Sequence, residues 1–149
     1  MSELKPTNFK NSIILLVEDN PADVNLIEEA LSEESLECGL RVINDGAKAI
    51  ELMDRVDADQ GEPCPDLMLL DLNLPKVSGQ DVLQRIRSGA RCKGIKVLIV
   101  SSSNAPADRE RALRLGATDY FRKPSTLEQF MELGPKVRGL LQRDGKDGQ

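Results

Sequence analysis

Residues Leu67 to Pro75 read LMLLDLNLP. Four apolar side chains run straight into Asp71, with Asn73 and Pro75 close behind. A short apolar run closed by turn residues is the pattern of a strand buried on both faces. A carboxylate at the end of such a strand is costly to bury without a partner. Asp71 therefore sets the fold and the functional question together.

The same pattern recurs along the chain. Ser12 to Val17 (SIILLV) is a buried strand that ends in Glu18 and Asp19. Asn20 then suits an N-cap and Pro21 the first helical position. Val24, Ile27 and Leu31 mark one face of the helix that follows. Leu40 to Asp45, Ile95 to Val100 and Thr118 to Arg122 read as further strands. Ala47, Ile50 and Met53 mark a second helix, and Ser78 with Asp81 resembles a capping box for a third. Asp108 to Leu115 is a fourth helix, and Leu127 to Leu141 a fifth. Gly134 and Pro135 fall inside that last segment, where proline costs about 3 kcal/mol or forces a bend, so a bend is expected there. Five apolar strands alternating with five helices imply a parallel sheet covered on both faces, an α/β fold.

Composition narrows the chemistry. The chain has 149 residues, enough for one domain with a sizeable core. Its net charge of −5 argues against nonspecific nucleic-acid binding, which needs a basic face. The absence of histidine removes the usual zinc sites and every histidine-based triad. Cys38, Cys64 and Cys92 are odd in number and form no CxxC pair, so free thiols in a reducing compartment are expected. No apolar run is long enough to cross a membrane and the first residues lack a signal-peptide core, so a cytoplasmic location is expected.

In a doubly wound sheet, ligands bind outside the carboxyl ends of the strands. Those ends carry Glu18 and Asp19, then Asp71, then Ser101, then Lys123. Three carboxylates at one sheet edge repel one another, and burial raises their pKa. A hard divalent cation relieves both effects, and oxygen ligands favour Mg²⁺. Lys123 supplies a second positive charge, and the Ser101 hydroxyl can donate to a phosphate oxygen. A carboxylate is a competent nucleophile for phosphoryl transfer, and Asp71 ends the middle strand of the set. Taken singly, each residue has a plain reading: Asp19 and Asn20 as a helix cap, Lys123 as a surface lysine, Tyr120 as strand packing. It is their convergence at one edge that carries the functional reading.

The motifs VEDN after the first strand, DLNLP after the third, VSS after the fourth and YFRKP at the fifth resemble the receiver domain of two-component response regulators. The likeness spans Ile13 to Leu141. It implies a flavodoxin-like, doubly wound five-stranded parallel sheet in the order 2-1-3-4-5 with five helices; this strand order comes with the resemblance, not from periodicity. It implies that Asp71 is the phosphoacceptor. Glu18, Asp19 and Asp71 would bind Mg²⁺ together with the backbone carbonyl of Asn73. Lys123 would contact the phosphate, followed by a cis peptide at Pro124. Ser101 and Tyr120 would be the switch pair, with Tyr120 moving into space vacated beside the fifth strand. Glu18 stands where many members have Asp, and Ser101 where Thr is common.

The resemblance further implies a phosphoacceptor signalling protein, not an enzyme, served by a sensor histidine kinase or a phosphotransfer protein. The DRVDADQGEPCPD connection and the VEDNPADVNLIEEAL stretch resemble the single-domain regulators paired with bacterial phytochromes. A homodimer could use the face from helix 4 to helix 5; no nucleic acid or membrane partner is expected. The expected organisation is a flexible segment over 1–11, a receiver domain over 12–142 and a flexible tail over 143–149. The 26 residues after Lys123 leave room for one helix and that tail, without an output domain. Two rivals are an aspartate-nucleophile phosphohydrolase and a receiver-like adaptor that is never phosphorylated. The first uses a second Asp two residues after the nucleophile, where this chain has Asn73.

Overall fold

The structure is a computed structural model that describes residues 11–59 and 61–146, with side chains through residue 142. In chain order the elements are β1 (Ile13–Val17), α1 (Pro21–Glu33), β2 (Gly39–Ile43), α2 (Gly46–Ala58), β3 (Leu67–Leu70), α3 (Gly79–Arg87), β4 (Lys96–Ser101), α4 (Pro106–Arg114), β5 (Asp119–Arg122), α5 (Leu127–Phe130) and α6 (Leu133–Lys146). The five strands form one parallel sheet in the order β2-β1-β3-β4-β5. The flavodoxin-like order is therefore present as expected. Register places Val17 beside both Ile43 and Leu70, so the ends of β1, β2 and β3 are level. The expected flexible segments fall largely on 1–10 and 147–149, outside the described residues, and the α6 backbone continues to Lys146.

Strand alternation builds two cores. Leu15, Val17, Met68, Leu70, Val97 and Ile99 face α2 and α3. Their neighbours Ile14, Leu16, Leu67, Leu69, Leu98 and Val100 face α1 and α6. Each such side chain contributes about 1.5–3 kcal/mol when fully buried. All four residues of β3 are buried, as the LMLL run requires of a central strand covered on both faces.

Local signals set the helix starts. The Asn20 side chain accepts hydrogen bonds from the backbone N–H of Ala22 and Asp23, and Pro21 opens α1. Ser78 and Asp81 form a reciprocal capping box at α3.

Three expectations change. The bend expected near Gly134-Pro135 is a full break at Met131 and Glu132, which divides the last segment into α5 and α6; Pro135 has no N–H to offer the Met131 carbonyl four residues back. Gly134 and Pro135 lie in the first turn of α6, where a missing N–H leaves no helical bond unmade. Gly134 is required there for a second reason: a Cβ would lie 2.6 Å from the Ala30 carbonyl oxygen and 2.8 Å from Glu34 Cβ. Arg138 then ties α6 to α1 through the Glu34 carboxylate at 2.8 Å.

Second, Cys64 and Cys92 are joined as a disulfide, with Cα atoms 5.6 Å apart, and only Cys38 is a free thiol. Sequence spacing of 28 residues gives no hint of this; folding brings the β3 approach against the α3–β4 connection. Asp57, at the end of α2, binds the same connection by accepting from the N–H groups of Ala90, Arg91 and Cys92.

Third, the described residues contain no cis peptide, so Lys123–Pro124 is trans. The trans preference of an X–Pro bond is only about 0.5–1 kcal/mol, so local chemistry does not dictate either form.

Candidate functional site

Among the described residues, the buried polar or charged side chains are Glu18, Asp71 and Ser101. Each directly ends or follows a strand, so sheet geometry gathers them at one edge. The ends of β1, β2 and β3 are held level by backbone bonds from Glu18 N–H to the Ile43 carbonyl of β2 and from Asp71 N–H to the Val17 carbonyl of β1. Lys123 arrives from β5, where its N–H donates to the Ser101 carbonyl at 2.7 Å.

Carboxylate oxygens of Glu18, Asp19 and Asp71 lie within 4.8 Å of one another. Glu18 and Asp71 are buried, whereas Asp19 is exposed at the mouth. Burial and the neighbouring Asp71 charge push the Glu18 carboxyl up to about 7, against the pull of Lys123. Oxygen-only donors at this spacing suit a hard divalent cation, which would relieve that repulsion.

The Lys123 ammonium sits between three carboxylates. Its Nζ lies 3.0 Å from Glu18 Oε1, 2.7 Å from Asp23 Oδ2 and 3.9 Å from Asp71 Oδ1. Burial pulls the ammonium down, but Asp23, Asp71 and Glu18 outweigh it and hold it above the ordinary lysine range. Asp71 Oδ1 also accepts from the Asn73 N–H at 3.1 Å, which orients the carboxylate. A cleft of about 590 Å³ opens beside this cluster, lined by Asp23, Ser102, Lys123, Pro124 and Phe130. It flanks the carboxylates without lying over them.

The Ser101 hydroxyl accepts from the Ser103 N–H at 3.1 Å, and a hydroxyl that accepts can still donate. Tyr120 is buried, 5% exposed. Its ring lies beneath the Arg109 guanidinium at 5.7 Å.

The structure thus brings Glu18, Asp19, Asp71 and Lys123 together, with Ser101 at the neighbouring strand end. Sequence reading missed three contributors. Asp23 is hidden in the first turn of α1, and its only signal is a position four residues beyond Asp19. Ser103 looks like one more loop serine, yet its hydroxyl donates to Asp108 at 2.5 Å and accepts from the Ala105 N–H. Gly79 packs against the backbone of Asp71 and Leu72; a Cβ would lie 2.7 Å from Leu72 Cα. Any side chain there would displace the loop that carries Asp71.

Comparison with known proteins gives a consistent result. The family described as response regulator receiver domain matches residues 14–133. The response regulator Rcp1 of Synechocystis is 32% identical over 128 residues, covering 86% of this chain and 85% of that protein. The Mn²⁺-bound structure of Rcp1 superposes with a TM-score of 0.74 at 31% identity, covering 85% of this chain and 91% of the other. The phosphorylated cyanobacterial phytochrome response regulator RcpA also gives a TM-score of 0.74, at 34% identity with the same coverage. The receiver domain of the sensor histidine kinase PA1611 from Pseudomonas aeruginosa PAO1, solved with a magnesium ion in its active-site cleft, gives 0.68 at 26% identity, covering 89% of this chain and 96% of that one.

Proposed function

Because the chain belongs to the response regulator receiver family, we propose that it accepts a phosphoryl group on Asp71 and signals through the surface that phosphorylation alters. The observation that carries this reading is the set of buried polar side chains, Glu18, Asp71 and Ser101, gathered beside Lys123 at the carboxyl edge of the sheet. Burying two acids against a single shared ammonium is costly, and function is a reason to keep them.

Glu18, Asp19 and Asp71, with the backbone carbonyl of Asn73, would hold Mg²⁺. That ion supplies positive charge to the transferring phosphoryl oxygens. Asp71 is the nucleophile, held by the Asn73 N–H. Lys123 offers an ammonium to a phosphoryl oxygen, and Ser101 offers a hydroxyl. Asn73 stands where a phosphohydrolase of the aspartate type needs a general acid, and an amide cannot fill that role. The protein is accordingly a phosphoacceptor and not a turnover enzyme.

Receiver domains draw phosphoryl groups from sensor histidine kinases or phosphotransfer proteins. The likeness to RcpA, a cyanobacterial phytochrome response regulator, supports a phytochrome-type kinase as the donor here. Residues 12–142 are assigned to the receiver domain, bracketing the matched 14–133. A place of action in the cytoplasm belongs to this reading; among the described residues no helix is long and apolar enough to cross a membrane. The face from α4 through β5 to the last helical segment, α5 and α6, would seat a second copy or a target.

The test is incubation with acetyl phosphate and Mg²⁺, read by intact mass. One phosphoryl group should be retained per chain, and Asp71→Asn should abolish labelling. Undiminished labelling of the variant would remove Asp71 from the site; rapid hydrolysis without accumulation would favour the phosphohydrolase, and no labelling the adaptor.

A further inference from the structure

We propose that Asp23 is a positioning residue for phosphoryl transfer: it anchors the Lys123 ammonium so that one of its protons is left for the incoming phosphoryl group. The inference rests on the assignment of Asp71 as phosphoacceptor. The shortest contact of Lys123 Nζ is with Asp23 Oδ2, at 2.7 Å. Asp23 lies outside the cluster of Glu18, Asp19 and Asp71 whose oxygens approach one another. Its contribution is therefore to the lysine.

An ammonium has three N–H donors. One reaches Asp23 and one reaches Glu18 Oε1 at 3.0 Å. Asp71 Oδ1, at 3.9 Å, is within ion-pair range and beyond a hydrogen bond. The third donor is thus not committed to the nucleophile. Glu18 belongs to the set that would hold a divalent cation, and a carboxylate engaged by a cation is a weaker partner for an ammonium. Asp23 then remains as the anchor that is independent of the metal. Its own place is set by the α1 cap, since the Asp23 N–H donates to Asn20 Oδ1 at 3.3 Å. The line of support runs from Asn20 through Asp23 to Lys123.

In the reaction with acetyl phosphate, a lone pair of the Asp71 carboxylate forms the new O–P bond. The P–O bond to the acetyl group breaks, and acetate leaves with that electron pair. Negative charge on the transferring phosphoryl oxygens is met by Lys123. A long, flexible lysine loses conformational entropy when fixed. Asp23 fixes it before the reaction, so less ordering remains to be done in the transition state.

The experiment compares wild type, Asp23→Ala, Asp23→Glu, Lys123→Ala and the double variant Asp23→Ala/Lys123→Ala with acetyl phosphate and Mg²⁺. Asp23→Ala should lower the rate constant at saturating donor by about tenfold, the scale of losing an orienting partner, and leave the half-saturating concentration unchanged. Asp23→Glu should recover most of the rate. In the Lys123→Ala background, Asp23→Ala should have no further effect. A second readout needs neither donor nor metal: the side-chain ammonium resonance of Lys123 should be observed in wild type and broadened by exchange in Asp23→Ala. The inference is overturned if Asp23→Ala slows the reaction equally without Lys123, if only the half-saturating concentration moves, or if the ammonium resonance is unaffected. Failure of wild type to label at Asp71 would instead count against the phosphoacceptor assignment, with the resonance still deciding whether Asp23 anchors the lysine.

Discussion

The Tyr120 hydroxyl donates to the Ser103 carbonyl at 3.1 Å, so a side chain of β5 holds the loop that leaves β4. The Ser101 hydroxyl grips the same residue from the other side, through the Ser103 N–H. Ser103 is thus the joint between the two residues expected to act as a switch. Drawing Ser101 toward a phosphoryl oxygen would therefore reach Tyr120 through the Ser103 loop.

Ser101→Ala removes one of these two grips and the donor to the phosphoryl group. The variant should still take a phosphoryl group at Asp71 but lose most of the accompanying change in the amide resonances of 102–105. A ligand moves such an equilibrium only by its differential contact energy, and that contact would be gone. The comparison is between wild type and variant, each with and without phosphodonor; an equal response would show that the coupling bypasses Ser101.

Asp19 is the exposed member of the acid cluster, so its removal should spare the fold and cost the metal. In Asp19→Ala, a Mg²⁺ titration should weaken by about tenfold or more, the scale of losing one charged ligand interaction of roughly 1.4 kcal/mol. Thermal unfolding without metal should stay at or above wild type, since one like charge is gone. Unchanged Mg²⁺ affinity would place the ion elsewhere.

Asp57 gives a dependence on pH. Hydrogen bonds from the Cys92 and Ala90 N–H groups, with that of Arg91, hold its carboxyl below the usual value of 3.8. Between the folded and unfolded pKa values the unfolded chain binds the extra proton, so the stabilisation is present above about pH 4 and is lost as pH falls through the folded pKa. Urea unfolding at a series of pH values from about 5 downward should show a shallower loss of stability in Asp57→Asn than in wild type. Parallel slopes would mean that the three N–H groups do not distinguish the charged carboxylate.

The Cys64–Cys92 bond closes a loop between residues 28 apart in sequence. The chain-entropy estimate for a loop of this length is roughly 3–4 kcal/mol. Reduction, or the double variant Cys64→Ser/Cys92→Ser, should lower the urea midpoint accordingly without changing phosphorylation, because the bond lies away from the carboxylate cluster. Identical midpoints with and without reductant would show that the pair contributes nothing in solution.

Strand and helix order, the sheet class, and the residues at the strand ends were legible because each rests on local chemistry. An apolar run such as LMLL can be covered on both faces only in a central strand. Asn20, Pro21 and the Ser78–Asp81 box announce helix starts through bonds made within a few residues. Glu18, Asp71, Ser101 and Lys123 could be named because a parallel sheet places all its carboxyl ends on one edge.

What the tertiary structure alone decided is every relation across long sequence separations. Asp23 meets Lys123 from 100 positions away, and nothing in the first turn of α1 distinguishes it from a solvated acid. Cys64 reaches Cys92 only because folding brings the β3 approach against the α3–β4 connection. Gly134 and Pro135 looked like a kink because local propensity sees only a disfavoured pair inside a helix. Packing of α6 against Ala30 and Glu34 placed them in its first turn, so the expected bend became a break just before them. Local rules act through bonds between neighbours in sequence, whereas these contacts depend on which surfaces the finished sheet presses together.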